Sequence, residues 1–341
     1  MEDLLTIRPT RSWKDRKNHF LCALEDPWYK HIAAIENIIH HATCEFYRKE
    51  GIKTLFLPIT TGSISSPMGL GSDSLPVKVN LCGVETYLAD SMQFMLEYGC
   101  RIFEKGCYYI MPSFRGEMAD ERHLCQFYHS EAEFPGGLSD VMNLVERYIQ
   151  YLCESILAEY EEELHLLVDD LGHIEKMISL CGTIPKVTFD EAAVILKNDP
   201  KYIEFCQPGF RNITREGEKE LLRETGGIVW ITHFDSLAVP FYQACDESGQ
   251  KALNADLLFG IGEVVGSGER HQNKAEVMKA LNRHRVPEKE YEWYVEMKEK
   301  FPLKTAGFGL GIERFLLWLL KHDDIRDCQI LPRFNGANII P

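Results

Sequence analysis

Two arginine-bearing segments carry most of the chemistry legible in the chain. The first, FRGEMADERHLCQF (residues 114–127), presents Arg115, Glu117, Arg122 and His123 ahead of a single aromatic, Phe127. The second, GFGLGIER (residues 307–314), sets Arg314 behind glycines at alternate positions, the last of them Gly311. Guanidinium forks suit a polyphosphate, and an aromatic face suits an adenine ring. Glycines at every second position let one backbone approach another group where side chains would block it. A third segment, DLLFGIGEVVGSGER (residues 256–270), places Asp256 and Glu263 in a strand–turn–strand context, so the two carboxylates are expected to face one another across a hairpin. Two acids beside a triphosphate are what Mg²⁺ requires, because it takes oxygen ligands and shares them with phosphates. Arg270 follows, beyond Gly266-Ser267-Gly268. Taken singly, each segment also describes a surface hairpin with solvated charges or an ordinary glycine-rich helix entry.

The bulk properties narrow the class. With 341 residues the chain is long enough for one large mixed domain or two ordinary ones. A net charge of -15 argues against a broad electrostatic grip on nucleic acid, though not against a small basic site. The eleven cysteines are scattered without a CxxC pair, which points to free thiols and a reducing compartment. The first residues, MEDLLTIRPTRSWKDRK, lack an apolar signal core, and no stretch reaches the length of a membrane span. A cytoplasmic enzyme with no membrane partner is the expectation.

The elements that must hold these residues follow from periodicity. Residues 1–25 read as a short extension and residues 26–341 as one domain. Between Trp28 and Lys49, Ile32, Ile35, Ile38, Ile39, Ala42 and Phe46 recur at helical spacing, and Gly51 ends the run. A strand, Thr54 to Ile59, follows and contains Pro58, and Thr60 to Pro76 reads as a loop. Strands are expected at 107–111 and 125–133, with the arginine-rich loop between them. Ser139 is expected to cap a helix running to Leu164. Further strands are expected at 228–234, 254–259 and 263–266. Pro287 is expected to open a helix to Lys300, and a buried helix to span Ile312–Lys321. The fold class is α+β, mainly an antiparallel sheet flanked by helices.

In this order the segments resemble the three signature motifs of the class II aminoacyl-tRNA synthetases. The helix and strand at 28–59 correspond to motif 1, residues 114–127 to motif 2 and residues 307–314 to motif 3. The strings QFYHSEAEF, PKVTFDEAAVIL, THFDSLAVPFY and HDDIRDCQILPR resemble the aspartyl/asparaginyl branch, most of all its archaeal-type asparaginyl members. The resemblance implies ATP and Mg²⁺ as cofactors and a homodimer built through motif 1. It makes Arg115 and Arg314 the catalytic arginines on the α- and γ-phosphates. Glu117, Arg122, His123, Phe127, Glu263 and Gly311 complete the ATP site, with Asp256 and Glu263 on the metal. Gln93, Glu131 and Arg270 become contacts to the amino acid.

At Leu96 the aspartyl enzymes carry a lysine, and Leu96 with Glu131 is the asparaginyl pattern. Four departures stand out. Arg115 to Arg122 is one residue shorter than usual, the 60–76 loop lacks the usual glycine- and glutamate-bearing flap, and Gln126 replaces a glutamate. The fourth is that the chain leaves no room for the family's anticodon-binding barrel. From that last point the leading expectation is an asparagine-synthetase-like amide ligase, which adenylates an aspartate- or asparagine-like acid and passes the acyl group to ammonia or a small amine. The alternatives are transfer of an asparaginyl-type adenylate to tRNA or a carrier, and a non-catalytic regulatory paralogue.

Overall fold

The computed structural model describes residues 6–65, 70 and 74–340. Eight strands form the main sheet and are numbered here in chain order: β1 (Lys53–Thr54), β2 (Cys107–Phe114), β3 (Gln126–Pro135), β4 (Lys186–Thr188), β5 (Ile228–Thr232), β6 (Asn254–Phe259), β7 (Gly262–Glu269) and β8 (Thr305–Gly311). Their spatial order is β1-β2-β3-β8-β7-β6-β5-β4. The two outermost pairs, β1 with β2 and β5 with β4, run parallel, and the remainder are antiparallel. The fold is therefore α+β with a dominant antiparallel sheet. The two glycine- and arginine-bearing segments meet at its centre because β3 and β8 are direct neighbours, pairing His129 with Gly311 and Glu133 with Gly307.

One face of this sheet is covered by the helices Pro27–Glu50 and Leu138–Leu164, with Ile312–Leu319 beside them. The apolar stripe expected on the first helix is buried, and Tyr148, Leu152 and Ile156 pack from the second. Burying each such side chain contributes about 1.5–3 kcal/mol. Gly51 ends the first helix at φ 79°, where a side chain would be strained. The other face carries shorter helices at its two sides, Gln93–Gly99 against β2 and β3 and Phe189–Ile195 with Arg215–Thr225 against β5 and β6, and the cleft described below lies between them.

Several boundaries differ from expectation, each for a local reason. Strand β1 stops at Thr54, and although the Leu55 amide still donates to the Tyr108 carbonyl (2.9 Å), residues 55–59 run on without a strand partner. Phe56 is left 96% exposed there. Ser139 is not the helix cap: Gly137 is, its amide donating to Asp140 Oδ2 (2.8 Å). Pro287 precedes a single 3-10 turn, Glu288–Tyr291, and the α-helix begins only at Glu292. The last helix ends at Leu319, two residues early. Residues 66–69 and 71–73 of the expected loop lie outside the described residues, while Thr60–Thr61 form a short strand against Val84–Leu88.

The segment before the first helix is tied down by side chains. Asp26 caps that helix through the Trp28 amide (2.9 Å) and accepts from the Thr10 amide (3.0 Å) and hydroxyl (2.7 Å). Trp13 is buried and donates to Asp327 Oδ1 (2.7 Å), and Trp28 donates to the Asp327 carbonyl (2.8 Å). Replacing Asp26 removes the cap and the tether together. Asp26→Ala is expected to cost about 1–2 kcal/mol of unfolding free energy, measured by urea denaturation. A variant as stable as the parent chain would show that neither bond matters.

Candidate active site

Two cavities adjoin one another on the face of the sheet that carries Glu131 and Glu133. The smaller is lined by Arg115, Glu117, Arg122, His123, Phe127, Glu263, Gly311 and Arg314, which are the residues expected to meet ATP. The larger, about 690 Å³, is lined among others by Gln93, Leu96, Glu131, Asp256, Glu263 and Arg270. That volume lies within the range of small-molecule sites, roughly 300–1,000 Å³. Arg115, His129, Glu263 and Gly309 line both cavities, so the two form one continuous site.

The smaller cavity gathers three guanidiniums, those of Arg115, Arg122 and Arg314, with Glu117 and Glu263 beside them. The Arg115 guanidinium lies 5.4 Å from the centre of the Phe127 ring, and its Nε is buried with no partner among the described residues. Arg122 donates through Nη2 to Glu218 (2.8 Å) and leaves Nε and Nη1 buried without a partner among the described residues. Arg314 is anchored from β7, donating to the Glu263 carbonyl (2.9 Å). Burial, only partly offset by Glu263, and the repulsion of Arg115 and Arg122 hold the Arg314 guanidinium below its ordinary value. Guanidiniums that oppose one another in this way are relieved by a polyanion. Burial and then Arg314 hold the His123 imidazole low, although His123 pairs with Asp120 (2.8 Å). Glu117 accepts from the Leu75 amide (3.0 Å), tying the arginine-rich loop to the segment before residue 77.

The carboxylate pair is arranged differently from expectation. Asp256 lies opposite Gly266 and Glu263 opposite Leu258, with a register shift between Leu257 and Leu258. The two acids are therefore not cross-strand partners, but they converge over Gly266. A Cβ there would lie 3.0 Å from Glu263 Oε1 and 3.8 Å from Asp256 Oδ1. Burial, and then the nearby Glu263 and Glu218, push the Asp256 carboxyl well above its ordinary value. No group of three or more metal-ligating side chains occurs among the described residues. Two converging carboxylates beside an arginine-rich cavity, one of them (Glu263) 3.7 Å from Arg314 Nη1, fit Mg²⁺, which shares its remaining positions with phosphate and water.

In the larger cavity, Glu131 accepts from Ser91 (2.6 Å) and lies 2.9 Å from His129 Nδ1. Burial raises its carboxyl, but the His129, Ser91 and Tyr109 contacts outweigh this and leave it below the ordinary value. Arg270 is buried and held by Glu133 (3.1 Å) and Gln243 (2.8 Å), with the Tyr242 ring 5.4 Å away. Burial pushes Glu133 up to about 7, against the pull of Arg270. Glu133 needs the glycine opposite it, since a Cβ at Gly307 would lie 1.8 Å from Glu133 Oε2. Glu133, Gln243 and Glu218 belong to the site but were not singled out in the sequence. Glu133 had a legible signal, because residues two apart in a strand share a face and Glu131 lines the cleft. Glu218 and Gln243 had none.

The strand β3 is locked to the helix at Ile312–Leu319 by Glu313, which accepts from the Tyr128 amide (3.0 Å) and Gln329 (2.6 Å). Burial pushes the Glu313 carboxyl from an ordinary 4.5 to about 7. Between those values the folded chain holds a proton that the unfolded chain has lost. This group's contribution to stability is thus fullest below about 4.5 and declines as the pH rises to 7. Glu313→Gln is expected to flatten that part of a stability–pH curve. An unchanged slope in the variant would assign the titration to another group.

A sheet that carries converging arginines above paired carboxylates, with an adjoining polar cleft, defines an ATP-dependent ligase of the AMP-forming class II synthetase kind. The family model described as tRNA synthetases class II (D, K and N) matches residues 14–335, and the chain belongs to that family. It is 28% identical over 324 residues to an asparagine--tRNA ligase of Pyrococcus abyssi, covering 93% of this chain and 71% of the relative. An asparagine--tRNA ligase of Thermoplasma acidophilum is 26% identical over 330 residues, with 94% and 74% covered. The crystal structure of asparaginyl-tRNA synthetase from Pyrococcus horikoshii complexed with asparaginyl-adenylate superposes with a TM-score of 0.86 at 25% identity, covering 97% of this chain and 73% of that one.

Proposed function

We propose that this chain activates asparagine with ATP as an aminoacyl adenylate and passes the acyl group to tRNA. The observation that carries the reading is the continuity of the two cavities through Arg115, His129, Glu263 and Gly309. It brings a carboxylate in the larger cavity to the phosphate chain in the smaller. In the step itself, an oxygen of the amino-acid carboxylate bonds to the α-phosphorus, the bond to the bridging oxygen breaks, and pyrophosphate leaves. Arg115 neutralises charge developing on the α-phosphate, and Arg314 holds the γ-phosphate end. Phe127 offers the adenine its face, while Glu117, Arg122, His123 and Gly311 wall the nucleotide. Asp256 and Glu263 would hold Mg²⁺, which supplies charge neutralisation along the phosphates. Gln93, Glu131 and Arg270 take the amino acid, and Glu131 below its ordinary value is an acceptor suited to an amide N–H.

The acceptor is where this reading departs from the sequence-based expectation of ammonia. The relatives named above are tRNA ligases by name, and none supports transfer to ammonia. Retention of the arginines and acids of the site supports an active enzyme over a regulatory paralogue. The domain is proposed to span residues 26–341 and to act in the cytoplasm, with residues 1–25 as its short extension. A homodimer is proposed through the edge beyond β1, where Phe56 is 96% exposed and Ile59 44%.

ATP–pyrophosphate exchange across a panel of amino acids, followed by labelled amino acid with tRNA and with ammonia, tests the whole scheme. Exchange with asparagine and label on tRNA are expected, and label only in a free amide would return the acceptor to ammonia. Arg115→Ala is expected to slow adenylate formation by roughly 10² or more, as loss of a transition-state charge partner does. Unchanged adenylation in that variant would remove Arg115 from the chemistry. Arg270→Leu should raise the KM for the amino acid far more than that for ATP, and equal effects would place Arg270 outside the amino-acid pocket. Phe56→Lys should shift sedimentation toward the monomer if the edge is the interface, and an unchanged profile would locate the interface elsewhere.

A further inference from the structure

Beneath the amino-acid cleft lies a charged pair that reaches no solvent. Glu97 and Lys298 are both 0% exposed and form an ion pair. Tyr294 donates to both Glu97 oxygens (2.8 and 3.1 Å), and Lys298 also donates to the His271 carbonyl (2.6 Å). A buried ion pair is a weak stabiliser, since the cost of desolvating two charges rivals their attraction, so its presence here calls for another reason. The reason lies one helical turn away. The Gln93 amide donates through Nε2 to Glu97 Oε1 (2.5 Å), while Gln93 Oε1 is buried without a partner among the described residues and the side chain lines the cleft.

We propose that Glu97 and Lys298 are positioning residues for amino-acid recognition: the pair fixes the Gln93 amide so that its oxygen is offered to a donor, the substrate's ammonium, and it braces the backbone beside Arg270. Flipping the Gln93 amide would set its oxygen against the Glu97 carboxylate, which costs far more than the flip itself. A neutral amide in place of the Glu97 carboxylate accepts either orientation and loses that discrimination. Lys298 adds the second half, because His271, whose carbonyl it holds, directly follows the arginine that Glu133 grips. The buried Lys298 ammonium therefore links both substrate-facing side chains from behind.

This rests on reading the larger cavity as the amino-acid site. The experiment combines kinetics and NMR on the full chain. In Glu97→Gln, the KM for the amino acid that supports pyrophosphate exchange is expected to rise about tenfold, with the KM for ATP unchanged within about twofold. Should Glu97→Gln fold poorly because Lys298 is left uncompensated, Glu97→Gln with Lys298→Met restores a neutral pair and carries the same expectation. Tyr294→Phe, which removes one donor and no charge, should give a smaller effect in the same direction. An unchanged amino-acid KM, or equal rises for ATP and amino acid, would overturn the proposal. The side-chain amide signals of Gln93, assigned by their loss in Gln93→Leu, should move in Glu97→Gln. Unmoved signals overturn the positioning role whatever the substrate. Absence of exchange by the parent chain with every amino acid overturns the functional reading instead, and the NMR result then judges the pair alone.

Discussion

Arg115, Arg122 and Arg314 share one cavity, where the other two repel Arg314, and most of the surrounding architecture answers to that constraint. Such a cluster is unfavourable in the empty protein and becomes favourable once a polyanion enters, so it must be held by structure that does not relax. The arginines come from different elements: Arg115 from just beyond β2, Arg122 held by Glu218 on the helix Arg215–Thr225, and Arg314 on the glycine-led helix held by the β7 backbone. Glu313, buried beside Arg314, reaches across to the Tyr128 amide and keeps β3 and the last helix in step. A carboxyl buried there, with its proton held up to about pH 7, is consistent with a site that gives up stability for rigidity.

The larger cavity is built on the same logic, with carboxylates doing the orienting. Glu131 and Glu133 project from one face of β3, and Gly307 of β8 provides the room that Glu133 needs. At Gly307 any side chain would collide with Glu133, whereas at Gly309 a Cβ would sit at 3.4 Å from Glu131, an ordinary contact. Glu133 then orients Arg270, and Glu97 orients Gln93. Two cleft-lining side chains, Arg270 and Gln93, are thus each gripped by a buried carboxylate, and Glu97 in turn rests on Tyr294 and Lys298.

Much of this was legible in the chain. The helical stripe from Trp28 to Phe46, the glycine that ends it, and the strands at 107–111 and 254–259 follow from periodicity, because each buries a face whose pattern is local. The arginine, glycine and acidic segments that carry the chemistry are likewise local strings, and their order resembles one family. Boundaries were less legible where hydrogen bonding in the folded chain decides them. Gly137 caps a helix in place of Ser139 because Asp140 reaches back to its amide. The strand after Thr54 stops because the backbone leaves β2 after Leu55 although β2 runs on to Phe114, which no local pattern records.

The linear chain specifies which groups are available: the arginines, the paired acids, the aromatic face and the glycines that make room for them. How those groups meet was settled only on folding. The register shift at Leu257 brings Asp256 and Glu263 together over Gly266 instead of opposite one another. Gln243 and Glu218 enter the site from segments with no signature, and Glu97 meets Lys298 from a distant part of the chain. Residue type and short-range spacing are encoded locally, but a pairing between distant segments depends on sheet order and register, which the whole core sets at once.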